Sequence, residues 1–221
     1  MKRLRTIFLV LEALLYAAFL ALDLTGGSAA LSAGLKYAGI ALVVLAGLTA
    51  LRSRDGRIVF AALVLTAAAD VFLLLLDAHY LAGVALFLCV QALYTERLCV
   101  MSGMNRTLHF TARAMLAGFA AAFVGKAFGR LEMLAAAYIV WFFMNLAHSV
   151  SIAAQTRTRR AVLFAAGLGL FFLCDLCVGV HNLPQSALSA FANVAMWAFY
   201  LPGQVLIVLS ADSFGGQHET V

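Results

Sequence analysis

Two aspartates, Asp70 and Asp175, lie in the middle of long apolar runs of the sequence, VLTAAADVFLLLL and LGLFFLCDLCVGV. A charged side chain at the centre of a membrane span costs about 2.5–3.5 kcal/mol on insertion scales, so such residues are functional candidates. A carboxyl group shielded from water retains a proton more readily, and two neighbouring carboxyls divide into an acid and a base. We therefore predict general acid–base chemistry. Proton or cation translocation and structural hydrogen bonds between helices are the alternatives.

The composition identifies the chain as an integral membrane protein. Its 221 residues are 65% hydrophobic and 11% charged, whereas soluble domains are about 25% charged. We expect a single transmembrane domain over residues 1–221, with the apolar run after MKRLR retained as the first span because it contains Glu12 and lacks a clear cleavage site. The net charge of +5 is explained by basic residues that flank membrane ends, and nucleic acid is not an expected partner.

Eight apolar segments are each close to the length that a helix needs to cross a bilayer. They are residues 6–23, 34–51, 58–77, 79–100, 110–128, 131–154, 161–181 and 187–210. The runs are continuous and do not alternate with the two-residue period of a membrane barrel. The sequence therefore predicts an all-α polytopic bundle of about eight transmembrane helices.

The basic residues predict the orientation of the bundle. Twelve of the 15 lysines and arginines fall on one side and three on the other, the twelve being Lys2, Arg3, Arg5, Arg52, Arg54, Arg57, Arg97, Arg106, Arg113, Arg157, Arg159 and Arg160 and the three Lys36, Lys126 and Arg130. Under the positive-inside rule both termini are cytoplasmic. Spans 3 and 7 then run in the same direction and carry Asp70 and Asp175 at a similar height, about 18–21 Å above the inner end.

Other polar residues inside the spans leave two interpretations open. Asn145 and His148, three residues apart on one helical face, either line a polar cavity or form interhelical hydrogen bonds. Glu12 either joins a site or pairs with a neighbouring arginine. Lys36 either extends to the interface or reaches a phosphate or the aspartates. Pro202 should kink the last span and free backbone groups.

The glycines, histidines and cysteines allow two further expectations, one about helix packing and one about metal binding. Four glycines are expected at close contacts between helices: Gly83, Gly118, Gly167 and Gly169. The histidines and cysteines show no zinc-ligand spacing. We expect neither a metal nor a cofactor.

Short motifs along most of the chain resemble the lysoplasmalogenase-like membrane proteins, also called the YhhN family. The stretch ADVFLLLLDAHYLAGVALFLCVQALY is similar to their third and fourth spans, FFLCDLCVGV to their Ser-Asp span, and FYLPGQVLIVLS to their final Tyr-x-x-Gly/Ala-Gln segment. The matching residues are Lys36, Asp70, Gly83, Phe87, Tyr94, Asp175, Tyr200, Gly203 and Gln204. The chain departs from the family pattern with Ala69 for glycine, Gln91 for histidine and Cys174 for serine.

The resemblance implies hydrolysis of the vinyl ether bond of lysoplasmalogens, which releases a fatty aldehyde and a glycerophospho-base. Asp70 and Asp175 would be the acid–base pair. A second group would orient water or substrate: Lys36 (through the phosphate), Gln91, Tyr94, Tyr200, Gln204, Asn145 and His148. The lipid substrate would enter laterally from the bilayer.

Two other functions remain open for the same sequence. One is a small transporter or proton-coupled carrier that uses the same aspartates, and the other is a non-catalytic lipid-binding relative. We expect a multi-pass location in a bacterial inner membrane.

Overall fold

The computed structural model describes residues 2–182 and 188–211, and this part of the chain folds into eight long helices. They are α1 (Lys2–Thr25), α2 (Ala29–Gly47), α3 (Arg54–Asp70), α4 (Tyr80–Ser102), α5 (Arg106–Val124), α6 (Arg130–Thr156), α7 (Arg159–His181) and α8 (Ser189–Leu209). A 3₁₀ turn, Leu48–Ala50, prolongs α2, and a π-helical turn, Val71–Leu75, prolongs α3. All eight described helices are long and apolar enough to cross a membrane. The predicted all-α polytopic membrane fold is confirmed.

The helices begin where polar capping residues supply a partner for free backbone N–H groups. The hydroxyl of Ser53 accepts a hydrogen bond from Gly56 N at 2.9 Å, and Asn105 Oδ1 accepts one from Leu108 N at 3.1 Å. Several helices start a few residues before the predicted apolar segments. Their first turns contain basic residues, which the apolar segments leave out. The predicted start of the eighth segment, residue 187, lies outside the described residues.

A buried ion-pair cluster joins four helix ends at one end of the bundle. Arg97 Nε lies 2.8 Å from Asp55 Oδ1, and Arg160 Nη2 lies 2.6 Å from the same oxygen. Arg97 Nη1 also donates to Ser210 Oγ at 2.7 Å. The starts of α3 and α7 thus meet the ends of α4 and α8, as expected for helices that alternate in direction. Which side of the membrane this end faces stays a prediction.

Glycines allow close contacts at two places, against a backbone atom at Gly167 and against a side chain at Gly83. A Cβ on Gly167 of α7 would lie 2.8 Å from the carbonyl oxygen of Gly203 in α8, and one on Gly83 would lie 2.5 Å from Leu73 Cγ. Both are much closer than van der Waals contact, as predicted for packing positions. Gly118 has nothing within 4 Å, so the expectation is wrong there, and Gly169 meets only Leu146 at 4.0 Å.

We predict that Gly167→Ala destabilises the protein by about 1–3 kcal/mol, because the added methyl group forces α7 and α8 apart. Thermal unfolding in detergent micelles measures this. Gly118→Ala is the matched control and should be neutral or stabilising, since alanine favours helix and has free space there. Equal melting temperatures for the two variants would contradict the close contact.

Candidate functional site

Asp70 lies at the last residue of α3, where the α-helix changes to the π-helical turn. Its side chain is 4% exposed. The hydroxyl of Tyr200 in α8 donates to Asp70 Oδ2 at 2.8 Å and lies 3.0 Å from Oδ1. π-Helical turns inside longer helices are frequent at functional sites. In this protein the π-helical turn begins directly after Asp70, whose carboxylate accepts the hydrogen bond from Tyr200 of α8.

Asp175 in α7 has a second tyrosine as its partner. The hydroxyl of Tyr138 in α6 donates to Asp175 Oδ2 at 2.6 Å. Asp175 is partly buried, whereas Asp70 is buried. The Gln91 side chain lies beside the Tyr138 hydroxyl, and its Oε1 accepts a hydrogen bond from Asn145 Nδ2 at 2.9 Å. Gln91 Nε2 has no hydrogen-bond partner within the described part of the chain.

The two aspartate–tyrosine pairs are neighbours in the centre of the bundle. The carboxyl groups of Asp70 and Asp175 are close enough for their charges to interact, and the Cys174 thiol is within the same range of both. We call Asp70, Tyr200, Asp175 and Tyr138 the aspartate–tyrosine site. It can hold one carboxyl protonated and the other ionised, which is the arrangement that acid–base catalysis needs.

An aromatic cluster packs against both tyrosines. The Phe171 ring centroid lies 5.3 Å from that of Tyr200, and the Phe87 centroid lies 6.1 Å from that of Tyr138. Phe87 and Phe171 also contact each other, with centroids 5.5 Å apart. These rings keep the surroundings of the site apolar and fix the direction of the two hydroxyl groups.

An apolar groove opens on the outer face of the bundle between α5, α6 and α7. It has a volume of about 540 Å³ and includes Phe119, Val140 and Phe172. The Phe172 ring packs 5.3 Å from that of Phe142, which packs 5.8 Å from Tyr138. The groove therefore comes within one aromatic layer of the Tyr138–Asp175 pair.

The model of the YhhN family matches residues 31–211, a segment that includes all four residues of the aspartate–tyrosine site. The chain belongs to the YhhN family. No curated protein and no solved structure matches it. YhhN membership thus agrees with the resemblance found in the sequence.

Two residues that the YhhN motifs single out make no hydrogen bond to either carboxyl group within the described residues. The Tyr94 hydroxyl is buried without a hydrogen-bond partner among the described residues, and its ring packs 5.4 Å from Phe164. Gln204 lies one turn beyond Tyr200 and is fully buried, with no partner for its amide within residues 2–182 and 188–211.

Tyr138, the hydrogen-bond partner of Asp175, was not predicted from the sequence. Its signal would have been its position seven residues, or two helical turns, before Asn145 in the sixth span. That spacing puts both side chains on the face that α6 turns towards Gln91.

Asn145 and His148 belong to a second polar network. Asn145 Oδ1 accepts from Arg113 Nε at 2.8 Å, and Arg113 Nη2 donates to His148 Nδ1 at 3.2 Å. The His148 ring stacks on His109 with centroids 4.8 Å apart. Asn145 therefore links Gln91 to Arg113, whereas His148 lies on the Arg113 side. Arg113, which the sequence placed near a span end, is only 2% exposed.

Lys36, expected either to extend to the interface or to reach a phosphate or the two aspartates, is buried in an ion pair. Its Nζ lies 2.8 Å from Asp23 Oδ2 and 5.2 Å from the centroid of the Trp197 ring, which packs 5.1 Å from Tyr200. The expected pairing of Glu12 with an arginine is wrong, because both Glu12 carboxyl oxygens are buried without a hydrogen-bond partner among the described residues.

We predict that Lys36 and Asp23 are energetically coupled. Lys36→Met and Asp23→Asn should each destabilise the protein, while the double variant should lose less than the sum of the two, with a coupling of about 0.5–3 kcal/mol. A double-mutant cycle of detergent unfolding measures this. Additive losses would contradict a stabilising ion pair.

Proposed function

We propose that the protein is an intramembrane hydrolase that cleaves the vinyl ether bond of lysoplasmalogen-type lysophospholipids. The observation that carries this proposal is the presence of two neighbouring carboxyl groups inside a YhhN-family membrane bundle, each hydrogen-bonded by a tyrosine. The bacterial inner membrane remains the expected location.

The reaction needs one acid and one base. A protonated aspartate donates its proton to the β-carbon of the vinyl ether, and an oxocarbenium ion forms. The ionised aspartate stabilises this cation and takes a proton from the attacking water, which gives a hemiacetal. Collapse of the hemiacetal breaks the carbon–oxygen bond to glycerol. The glycerol oxygen takes one proton, the hemiacetal hydroxyl loses one, and a fatty aldehyde and a glycerophospho-base leave.

The surroundings support this chemistry. The hydroxyl groups of Tyr138 and Tyr200 donate hydrogen bonds to the two aspartates. These bonds stabilise the ionised carboxylate, whereas burial favours the neutral carboxyl group. The apolar environment strengthens the attraction between a carboxylate and a developing cation. No nucleophilic side chain is required.

The apolar groove offers a route for the hydrocarbon chain of the substrate. Its volume of about 540 Å³ falls within the range of ligand pockets, about 300–1,000 Å³. Asp175 is the partly exposed carboxyl, and the groove lies one aromatic layer from it. A single-chain lipid in the groove would bring its ether bond towards this carboxyl.

The remaining predicted residues receive supporting roles in this proposal. Gln91 and Asn145 would orient the Tyr138–Asp175 pair, and Gln204 would orient water near Tyr200. Lys36 would leave its ion pair with Asp23 and contact the phosphate of the substrate. A second set lies farther from the carboxyls and would act through packing: Tyr94 and His148.

We predict that Asp70→Asn and Asp175→Asn each abolish aldehyde release, because an amide can act neither as the acid nor as the base. Aldehyde release from a lysoplasmalogen by the purified protein, coupled to an aldehyde dehydrogenase, measures the rate. Asp77→Asn is the matched control, since Asp77 is exposed at the turn after the π-helical segment, and it should retain full activity.

Thermal unfolding of each variant separates lost chemistry from lost folding. Full activity in both site variants would remove the two-carboxyl mechanism. A native protein that binds lysoplasmalogen without cleaving it would favour the non-catalytic lipid-binding alternative.

We further predict that Gln91→His raises the rate of aldehyde release. Histidine is the residue that the family pattern carries there, and unlike glutamine it can transfer a proton. Its Nδ1 can also accept the hydrogen bond that Asn145 Nδ2 now donates to Gln91 Oε1. The measurement is kcat with the same coupled assay, and Gln91→Leu serves as the control. An unchanged or lower kcat in Gln91→His would show that position 91 has no proton-transfer role.

A further inference from the structure

Three buried polar side chains have no hydrogen-bond partner in the described part of the chain. Glu12 of α1, Thr66 of α3 and Gln204 of α8 are 4%, 1% and 0% exposed. Their side-chain oxygens, and the amide nitrogen of Gln204, have no hydrogen-bond partner within the described residues. A buried polar group without a partner loses about 1–3 kcal/mol of hydrogen bonding. Groups of this kind usually bind water or a ligand in native proteins.

Thr66 of α3 and Gln204 of α8 lie on the same side of the Asp70–Tyr200 pair along the two helices. The two helices run in opposite directions, and the Asp70–Tyr200 hydrogen bond fixes their relative height. Thr66 lies four residues before Asp70, and Gln204 lies four residues after Tyr200. Both therefore lie one helical turn, about 6 Å, from the Asp70–Tyr200 pair in the same direction.

Glu12 reaches the same part of α8. A Cβ on Gly39 would lie 3.3 Å from Glu12 Oε2 and 2.9 Å from Leu201 Cδ2, so the carboxyl lies next to the Leu201 side chain. One turn along α1, the Tyr16 hydroxyl donates to the carbonyl oxygen of Ala198 at 3.3 Å. This carbonyl is the one that Pro202 leaves without its helical partner. The α1–α8 register is thus fixed at Ala198, and Glu12 lies within one turn of Gln204.

We propose that Glu12, Thr66 and Gln204 form a buried water-binding site one helical turn from Asp70. A carboxyl, a hydroxyl and an amide together offer both donors and acceptors, and a buried water makes about three hydrogen bonds. A single carboxyl with two neutral groups is a poor set of ligands for a divalent cation.

The water site has a consequence for the neighbouring aspartate. A carboxyl group without a cationic partner in an apolar bundle is stabilised by water that bonds to it. Water that bonds Glu12 and Gln204 lies one turn from Asp70 and can replace a water consumed there. This supply role rests on the proposed hydrolase function, whereas the existence of the water site does not.

Radiolytic hydroxyl-radical footprinting with mass spectrometry tests the site in the intact protein in lipid nanodiscs. Radicals form from water and modify side chains close to bound water even when these are buried. Leu201 contacts the proposed site, and Leu168 is a leucine of equal burial in the apolar core, at 1% and 0% exposure. We expect Leu201 to be modified several-fold faster than Leu168. Equally slow modification of the two leucines would overturn the proposal.

A double variant, Glu12→Leu with Gln204→Leu, provides the second arm. It should lower the modification of Leu201 to the level of Leu168 and leave Leu168 unchanged. Unchanged fast modification of Leu201 would show that these residues do not hold the water. If this variant does not fold, Thr66→Val replaces it, and a reduced modification of Leu201 is again expected.

Aldehyde release separates the supply role from the site itself. Thr66→Val should lower kcat while leaving KM unchanged, since threonine and valine have the same shape and only water binding is lost. Fast modification of Leu201 in the unaltered protein, together with reduced modification but full kcat in Thr66→Val, would retain the water site and overturn the supply role. A native protein without hydrolase activity would remove the proposed function, and the footprinting result would still decide the water site.

Discussion

The close contact between α7 and α8 fixes the geometry of the aspartate–tyrosine site. Without side chains at Gly167 and Gly203, the two backbones meet at a distance that a single methyl group would prevent. Tyr200 lies three residues before Gly203, and Phe171 lies four residues after Gly167. The contact therefore presses the Phe171 ring against Tyr200, whose hydroxyl is held on Asp70 of α3. If the two helices separated, the tyrosine would move from its carboxyl group. The packing of small residues between α7 and α8 thus determines a polar interaction between α8 and α3.

Two kinds of buried polar group coexist in the bundle, and their partners distinguish them. The Arg97 guanidinium binds both oxygens of Asp55, so opposite charges compensate each other and tie helix ends together. Such a pair is costly to break and has no remaining capacity to bind a ligand. Asp70 and Asp175 instead receive only neutral tyrosine hydroxyls, and Glu12 receives no partner among the described residues. Groups without a compensating charge can change their protonation without disrupting the fold, which is the property that a proton-transfer site requires.

The sequence predicted the spans well but not the contacts between them. Span length and basic ends depend on local composition, and α6 and α7 begin and end within two residues of the predicted segments. The partner of Asp175 depends on how α6 is rotated against α7, which one sequence does not encode locally. The family motifs single out both Tyr94 and Tyr200, yet Tyr200 binds Asp70 whereas Tyr94 packs on Phe164. The π-helical turn after Asp70 also lacked a local signal. Pro202 was the exception, since its missing N–H predicts a free carbonyl, and the Tyr16 hydroxyl binds that carbonyl.

The two carboxyl groups differ in what can reach them. Asp70 is buried, with both oxygens close to one hydroxyl, and the proposed water site lies one helical turn towards the end of the bundle that holds Asp55. Asp175 is partly exposed, keeps Oδ1 outside its hydrogen bond to Tyr138, and lies nearer to the apolar groove. A lipid would therefore arrive from the Asp175 side, while water would arrive from the Asp70 side. In the proposed reaction, separate routes would keep bulk water away from the oxocarbenium ion until one positioned molecule attacks it. The aromatic cluster around Phe171 lies between the two routes, so its packing would govern how closely water and lipid approach each other.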